Sequence, residues 1–445
     1  MARRMLKCIA SLSCILSMTA ACSGQTAPNP GADPKSPNPP GATKEPVELT
    51  FYYMYADSNE EQFMKEHGSL IQKKYPNFSF KFLQNTKGNS LQDIIASKTN
   101  IDVFITINPS MMSIKDVELD GDISDLVKKY AFDLGRFDPA IIEGLRKVGE
   151  GKLPGLPFKV NTLGLFYNKD IFDKFGVPYP KDGMTWDEVN ETAKKLTRVD
   201  GGVNYRGFGI RTWGQLLQLN QMSLKLVDAG TKKSTVNNEM WKQYLAKFTP
   251  LFQMSGYEPT SALLQDAKQN DLFFKEKSLA MLVQMNSDYP KAYQKLDINW
   301  DVTTFPTFKE KPGVGPQPDV VYYALSANSK HRDEAFLAMA EMTTDAVQLE
   351  RSRLGNPSVL KSPAIRDAFG ADAPDLNGKN KKALVPEKYA EPTQYTKYNS
   401  KVVAPLAGGF RNIILGTKDA NTALRETEEK ANKDIETMDG PQPAK

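Results

Sequence analysis

One segment of the chain decides the fold, GKLPGLPFKVNTLGLFYNKDIFDKFGVPYPKDGMTWDEV, which spans residues 151–189. Within it, the nearly all-apolar run over 162–167 is typical of a strand whose two faces are both covered by other elements. A short helix is predicted over 171–175, and Gly176 is the residue type that commonly ends such a helix. The segment therefore predicts a central strand of an α/β sheet that leads directly into a helix.

The end of the same segment predicts a second helix, from Thr185 to about Thr197. Thr185 and Glu188 have the spacing of a capping box, in which each side chain bonds a backbone N–H of the first helical turn. Trp186 stands between them and is interpreted as a packing residue at the helix start.

The whole pattern resembles a known family. The combination LP-x-x-x-NT-x-G-L-x-YNKD-x-F-x-K-x-G-VP-x-P-x-x-x-TW-x-E runs from Leu156 to Glu188. It is similar to the family 1 extracellular solute-binding proteins of bacterial ABC importers, relatives of maltose-binding protein. Residues 300–308, 324–336 and 406–435 resemble further parts of that family, so the resemblance covers most of the chain after residue 47.

The resemblance implies an α/β protein with the two-lobed, type II periplasmic-binding-protein-like fold. The first lobe is expected to consist of residues 47–157 plus 309–355, and the second of residues 158–308 plus 356–440. The crossovers between them would act as hinges, with the ligand cleft between the lobes. The implied function is capture of a small solute by lobe closure and its delivery to the permease subunits of an ABC transporter. The protein is expected to be a monomer and not an enzyme, with no cofactor or metal.

Size and strand pattern support the same organisation independently. A length of 445 residues exceeds one ordinary core, which favours two lobes. Strands predicted over 47–54, 78–83 and 101–107 alternate with predicted helices, and this alternation indicates a parallel, right-handed wound sheet.

The N-terminus predicts export. Arg3, Arg4 and Lys7 precede an apolar run over 8–21 that is too short for a membrane span and of the right length for a secretory signal. The alternative, a buried N-terminal helix, would have to precede a segment that folds no core. Residues 1–21 are therefore interpreted as a lipoprotein signal peptide.

A lipid anchor is predicted directly after that signal. Residues 18–24, MTAACSG, resemble a bacterial lipobox, with Thr19 where the pattern prefers Leu. The resemblance implies that Cys22 is lipidated and holds the protein at the extracellular face of the cell membrane. Cys22 is also the one cysteine left after residues 1–21 are removed, so no disulfide within the chain is expected. Residues 22–46 are rich in Pro, Gly, Ser and Thr and are expected to form a disordered tether.

Charge and histidine content argue against two other classes of function. Removal of the signal peptide takes the 57 basic residues to 54 against 53 acidic ones. The sequence has no concentrated run of Lys and Arg, so it lacks the basic surface that nucleic-acid binding requires. His67 and His331 are far apart in sequence and are interpreted as helix-start or surface residues, which leaves little material for a metal site or a Ser-His-Asp triad.

Candidate binding residues follow from the rule that ligands of open α/β sheets bind outside the carboxyl ends of the strands. The resemblance adds Asn161, just past the first crossover, and Asn356 at the last one. Asp57 or Ser58 could equally cap the next helix. Trp213 could instead lie in the core. The predicted ligand-binding residues are Tyr55, Asp57, Asn108, Asn161, Trp213, Asp288, Tyr289, Tyr322 and Asn356.

The chemistry of these residues favours a neutral, polyhydroxylated solute such as an oligosaccharide. They offer aromatic faces and neutral or acidic acceptors, with Arg211 as the one obvious cation nearby. An anionic solute would ordinarily be met by several Arg or Lys donors. One feature argues against a sugar ligand. Met285 and Ser287 stand where the family has G-x-W, so the stacking Trp of many sugar binders is absent from those positions.

Three alternatives stay open at this point. The same receptor could bind a non-sugar solute. The chain could be an exported carbohydrate-active enzyme that uses two carboxylates among Asp57, Asp288 and Asp319. It could also be an adhesin on the same fold, since a fold does not fix a function.

Overall fold

A computed structural model gives the fold and describes residues 45–288 and 298–440. The predicted signal peptide, Cys22, the tether up to residue 44 and Tyr289 lie outside the described residues. Among the residues that are described, no helix combines the length and the apolar character needed to cross a membrane.

The described residues form both strands and helices. The strands are β1 Val47–Tyr53, β2 Phe78–Gln84, β3 Val103–Thr106, β4 Gly155–Asn161, β5 Leu163–Asn168, β6 Arg198–Asp200, β7 Val203–Tyr205, β8 Gly209–Ile210, β9 Val227–Asp228, β10 Lys233–Ser234, β11 Met281–Met285, β12 Trp300–Thr303 and β13 Asp319–Leu325. The α-helices are Glu60–Phe63, Ser69–Lys74, Leu91–Ala96, Asn108–Asp116, Ser124–Lys129, Pro139–Val148, Lys169–Phe175, Trp186–Leu196, Trp213–Gln218, Glu239–Phe248, Asp266–Phe274, Arg332–Glu341, Asp345–Arg353, Pro363–Asp367, Asn399–Ile414 and Ala420–Asp439, and a π-helical segment, Met64–Gly68, joins the first two.

The first large sheet has the strand order β2-β1-β3-β13-β4. β1 pairs in parallel with β2 and β3, which confirms the predicted parallel arrangement of the first three strands. β13 is antiparallel to both β3 and β4, so β4 runs in the same direction as β1. The sheet contributes to a hydrophobic core that contains residues from Val47 to Val160 and from Val320 to Ile365, together with Tyr389.

The second large sheet has the strand order β12-β5-β11-β8. β5 lies between two antiparallel neighbours, β11 and β12, and every one of its residues is buried. The prediction of a central, doubly covered strand is therefore confirmed. A separate hydrophobic core surrounds this sheet and contains residues from Leu163 to Phe308 and from Phe369 to Ile435.

The chain passes between the two cores at three places. β4 belongs to the first sheet and β5 to the second, with Thr162 alone between them. The second passage lies between β12 and β13. The third passage follows Val359, Leu360 and Ile365, which still pack in the first core. We therefore place the proposed lobe boundary after Ile365 rather than at residue 355.

The helix signals of the opening segment appear as predicted. The Thr185 hydroxyl accepts from the Glu188 N–H at 3.3 Å, and Glu188 Oε2 accepts from the Thr185 N–H at 2.7 Å, which completes the capping box. Trp186 is 2% exposed and packs edge-on against Phe248 and Phe305. Gly176 ends the preceding helix with a φ of 62°, a conformation that glycine adopts without strain.

Two local predictions are wrong. Asn59, and not Asp57 or Ser58, caps the first helix, because its Oδ1 accepts from the Gln62 N–H at 2.8 Å. His67 is buried within the π-helical segment, where its Nδ1 lies 2.5 Å from the Tyr323 hydroxyl.

The contact between β4 and β13 leaves no space for a side chain at Gly155. A Cβ atom at Gly155 would lie 1.7 Å from the backbone oxygen of Tyr323. Gly155→Ala is therefore expected to lower the free energy of unfolding by about 2 kcal/mol or more, since two backbones have to separate. Denaturant unfolding followed by circular dichroism measures the change.

A matched control is available in the helix Asn399–Ile414. A Cβ atom at Gly408 would meet open space, so Gly408→Ala is expected to raise stability by about 0.5 to 1 kcal/mol. Equal stability of Gly155→Ala and the wild type would contradict the close approach of β4 and β13.

Candidate functional site

Polar and aromatic side chains meet at one edge of the first sheet. β1, β3 and β4 run in the same direction, so their carboxyl ends share that edge, and the antiparallel β13 begins there. The edge therefore has the position at which open α/β sheets bind ligands.

Tyr55 follows the end of β1 and contacts the helix that follows β3. Its hydroxyl lies 2.7 Å from the Ser110 hydroxyl, in the helix that begins at Asn108. Asn108 itself is half-buried, and its Oδ1 has no hydrogen-bond partner. Tyr322 is fully buried, with an unpartnered hydroxyl, and the neighbouring Tyr55 contributes to the raised pKa of Tyr322 after the larger effect of burial.

Asn161 and Asp319 join the ends of β4 and β13. The two residues are direct partners in the β-ladder, and Asn161 Nδ2 donates to Asp319 Oδ2 at 3.2 Å. Because the amide nitrogen faces the carboxylate, the orientation of the Asn161 side chain is fixed. Its Oδ1 is buried without a partner.

The electrostatics of this edge are acidic. Burial raises the pKa of the Asp319 carboxyl, against the hydrogen bond from Asn161 and the positive charge of Lys159, which both lower it. Tyr395 reaches the same place from the segment that precedes the helix Asn399–Ile414. Burial is the main cause of its raised pKa, and the charge of Asp319 adds to the shift.

The edge of the second sheet begins one residue after Asn161. Thr162 is bound on both sides of its backbone by Asn286, which follows β11. The Thr162 N–H donates to Asn286 Oδ1 at 3.0 Å, and the Asn286 N–H donates to the Thr162 oxygen at 2.9 Å. The Thr162 hydroxyl and Asn286 Nδ2 are buried without partners, so this edge also presents unsatisfied polar atoms.

Arg211 supplies positive charge to the second edge. It follows β8, and its Nη1 lies 3.5 Å from the Oε1 of Gln284 in β11, which leaves Gln284 Nε2 without a partner. The unpartnered amide atoms of Gln284 and Asn286 are thus donors, whereas that of Asn161 on the first edge is an acceptor.

The structure brings some of the predicted site residues together and places others elsewhere. Tyr55, Asn108, Asn161 and Tyr322 belong to the cluster at the first edge. Asp57 is exposed next to Tyr53, and its carboxylate accepts a hydrogen bond that helps to raise the pKa of that tyrosine.

Two further predicted residues lie in other surroundings. Trp213 is 1% exposed in the second core, where it packs against Phe252 and Phe410 and donates to the Leu264 oxygen at 3.1 Å. Asn356 is half-buried and bonds the Arg351 oxygen at 3.4 Å. Tyr289 and the side chain of Asp288 lie outside the described residues.

Sequence reasoning did not place Asp319, Tyr395 or Asn286 among the candidate binding residues, and it named Asp319 only as a catalytic carboxylate of the alternative enzyme. The signal for Asp319 was available, since a strand that starts at the carboxyl ends of its antiparallel neighbours places its first residue at their shared edge. Tyr395 and Asn286 gave no local signal, because each reaches the site through a loop. No group of three potential metal-binding side chains occurs within the described ranges.

A cavity of about 550 Å³ lies apart from the two edges. It is lined by the second and third passages between the cores, with Phe305, Gly313 and Arg366 among its residues. The cavity shares no residue with the cluster around Asp319. Its place beside the passages assigns it to the hinge region.

The chain passes between two α/β cores, and polar strand ends lie next to the first two of these passages. This arrangement is that of a two-lobed binding protein. Residues 55–349 match the model of the family described as bacterial extracellular solute-binding protein. The chain belongs to this family.

Relatives and solved structures agree with that assignment. An sn-glycerol-3-phosphate-binding periplasmic protein of Brucella abortus is 25% identical over 325 residues, which cover 68% of this chain and 72% of the relative. A sugar transporter structure from Rhizobium etli matches with a TM-score of 0.68 at 24% identity, over 86% of this chain and 99% of the other. An ABC substrate-binding protein of Listeria monocytogenes in complex with cycloalternan matches with a TM-score of 0.66 at 21% identity, over 88% and 99%. The fold is therefore the type II periplasmic-binding-protein-like fold.

The pKa of Asp319 gives a prediction for stability. Because this pKa is raised in the folded protein, the folded state holds the proton more tightly than the unfolded chain does. The carboxylate therefore destabilises the fold increasingly as the pH rises above its ordinary pKa of about 3.9. Asp319→Asn, which keeps the shape and removes the charge, is expected to be more stable than the wild type near neutral pH, with the difference shrinking towards about pH 4.

Denaturant unfolding of both proteins across this pH range measures the difference. Asp125→Asn is the control, because Asp125 is an exposed carboxylate of the same lobe, paired with Arg332 at 2.9 Å. A stability difference between Asp319→Asn and the wild type that does not vary with pH would contradict the raised pKa.

Proposed function

We propose that the chain is a cell-surface receptor that captures a neutral oligosaccharide by closure of its lobes and delivers it to the permease of an ABC transporter. The observation that carries this proposal is the cluster of Tyr55, Asn161, Asp319 and Tyr395 at the first edge. Amide and carboxylate oxygens accept hydrogen bonds from hydroxyl groups, and aromatic rings pack against the apolar faces of sugars.

Lobe closure follows from the position of the cluster. A solute that touched the first edge and the Thr162–Asn286 edge at once would favour the arrangement in which both edges are close. Its differential affinity for that arrangement is what shifts the population towards the closed form. A permease that recognised the closed form would then receive loaded receptors preferentially.

The comparisons point to two solute classes. The Rhizobium and Listeria structures, one named as a sugar transporter and one holding cycloalternan, support a sugar. The Brucella relative, named for sn-glycerol 3-phosphate, supports a phosphate ester. The acidic character of the first edge favours the neutral class, because a phosphate placed beside the Asp319 carboxylate would meet a like charge.

A ligand panel tests the proposed solute class. We expect maltotetraose, cycloalternan or another neutral oligosaccharide to raise the melting temperature of the protein from residue 44 onward. Saturable binding stabilises the native state by about 3 kcal/mol when free ligand is about 100 times the Kd. Differential scanning fluorimetry gives the first screen, and isothermal titration calorimetry gives the affinity.

The same panel contains sugar acids, sn-glycerol 3-phosphate, peptides and polyamines. A tight anionic or peptide ligand, without a response to any neutral saccharide, would overturn the sugar assignment. It would leave the family and the receptor role in place.

Lipid anchoring is the second part of the proposed function. Cys22 is proposed as the attachment site because of the lipobox resemblance and because it is the one cysteine after residue 21. We expect Cys22→Ser to abolish fatty-acid labelling and to release the protein from the membrane fraction of a Gram-positive host. Cys14→Ser, within the predicted signal peptide, is the control that should retain the label. Continued labelling of Cys22→Ser would exclude this anchor.

A further inference from the structure

Asp319 is a half-buried acidic group at the edge of the first sheet. Its Oδ2 accepts from Asn161 Nδ2 at 3.2 Å, and the positive charge of Lys159 also acts on it. Because the side chain is half-buried, the carboxylate is not fully hydrated. A charge in this state gains more from a hydrogen-bond donor than an exposed carboxylate does.

The groups around Asp319 leave more acceptors than donors for a solute. The Asn161 amide nitrogen is used by Asp319, which leaves the amide oxygen unpartnered. The Tyr55 hydroxyl is engaged with Ser110. The Tyr322 hydroxyl has no partner and can serve in either role. This composition matches a solute end that carries several hydroxyl donors.

Asp319 also lies where two passages between the lobes meet. Gln317 still belongs to the second lobe, because its N–H donates to the Leu219 oxygen at 2.9 Å and its side chain bonds the Asn220 oxygen at 2.9 Å. Two residues later, Asp319 is in the first sheet beside Asn161. Asn161 is in turn one residue before Thr162, which Asn286 binds to the second lobe.

We infer that Asp319 is a specificity-determining residue, which accepts hydrogen bonds from adjacent hydroxyls at one end of a neutral sugar and excludes phosphate and carboxylate groups from that position. The inference rests on the proposed function and adds the residue that would select the solute class. Because Asp319 stands beside both passages, a solute bound to it lies close to both lobes. Its contact with Asp319 contributes to closure to the extent that the solute binds the closed arrangement more tightly than the open one.

The test compares Asp319→Asn with the wild type by isothermal titration calorimetry. Maltotetraose and cycloalternan are the neutral probes, and sn-glycerol 3-phosphate and glucuronic acid are the anionic ones. For Asp319→Asn we expect affinity for the bound neutral probe to fall about 10- to 100-fold, the range for loss of a hydrogen bond to a charged group. Affinity for the anionic probes is expected to rise, with the rise largest at low salt.

Two controls separate specificity from folding. Asp125→Asn makes the same charge change in the same lobe, within an exposed pair with Arg332, and is expected to leave all four affinities unchanged. The melting temperature of empty Asp319→Asn reports whether the fold is intact. Small-angle scattering of the loaded proteins is expected to show compaction in the wild type and less compaction in Asp319→Asn.

The outcomes distinguish this inference from the proposed function. If neutral probes bind the wild type and Asp319→Asn equally well, the inference is overturned while the oligosaccharide receptor stands. If only an anionic probe binds the wild type, the sugar assignment fails, and the inference fails with it because Asp319 does not then exclude an anion.

Discussion

The arrangement of the molecule depends on how the chain is fixed on either side of the peptide bond between Asn161 and Thr162. Asn161 is bound to Asp319 in the first sheet, and Thr162 is bound through both backbone groups to Asn286 in the second. The peptide bond itself is planar and rigid, so relative movement of the two bodies at this passage has to use the backbone dihedrals that flank it, ψ of Asn161 and φ of Thr162. This passage has the form of a short hinge and not of a flexible linker.

The antiparallel direction of β13 brings the second passage to the same place. If β13 were parallel to β3, its first residue would lie at the opposite edge of the sheet, far from Asn161. Instead, Gln317 is fixed to the second lobe and Asp319 to the first, next to Asn161. The two passages thus lie side by side, and the candidate binding edge lies next to them.

Much of the fold could be predicted from local signals, while the site could be predicted only in part. Thr185, Glu188 and Gly176 form their own caps and turns, so spacing alone identifies them. The position of Tyr55 follows from the strand-end rule, and that of Asn161 follows from the family resemblance. Trp213 satisfies the same rule and yet packs in the core, because rings from helices distant in sequence surround it. Tyr395 depends entirely on where a loop returns, which no local pattern encodes.

The polar atoms without hydrogen-bond partners at the two edges lower the free energy of unfolding, and the same atoms are available to bind a solute. A buried polar group without a partner costs about 1 to 3 kcal/mol, and Asn161, Tyr322, Thr162 and Asn286 each contain one such atom. Apolar replacements would remove that cost but would leave a solute nothing to bond. These atoms flank the first passage and are bonded to no other protein group of the described residues, so a hydroxylated solute that reached them would supply new hydrogen bonds. The free energy of those new bonds is then available to favour closure, which is how a receptor couples recognition to a change of shape.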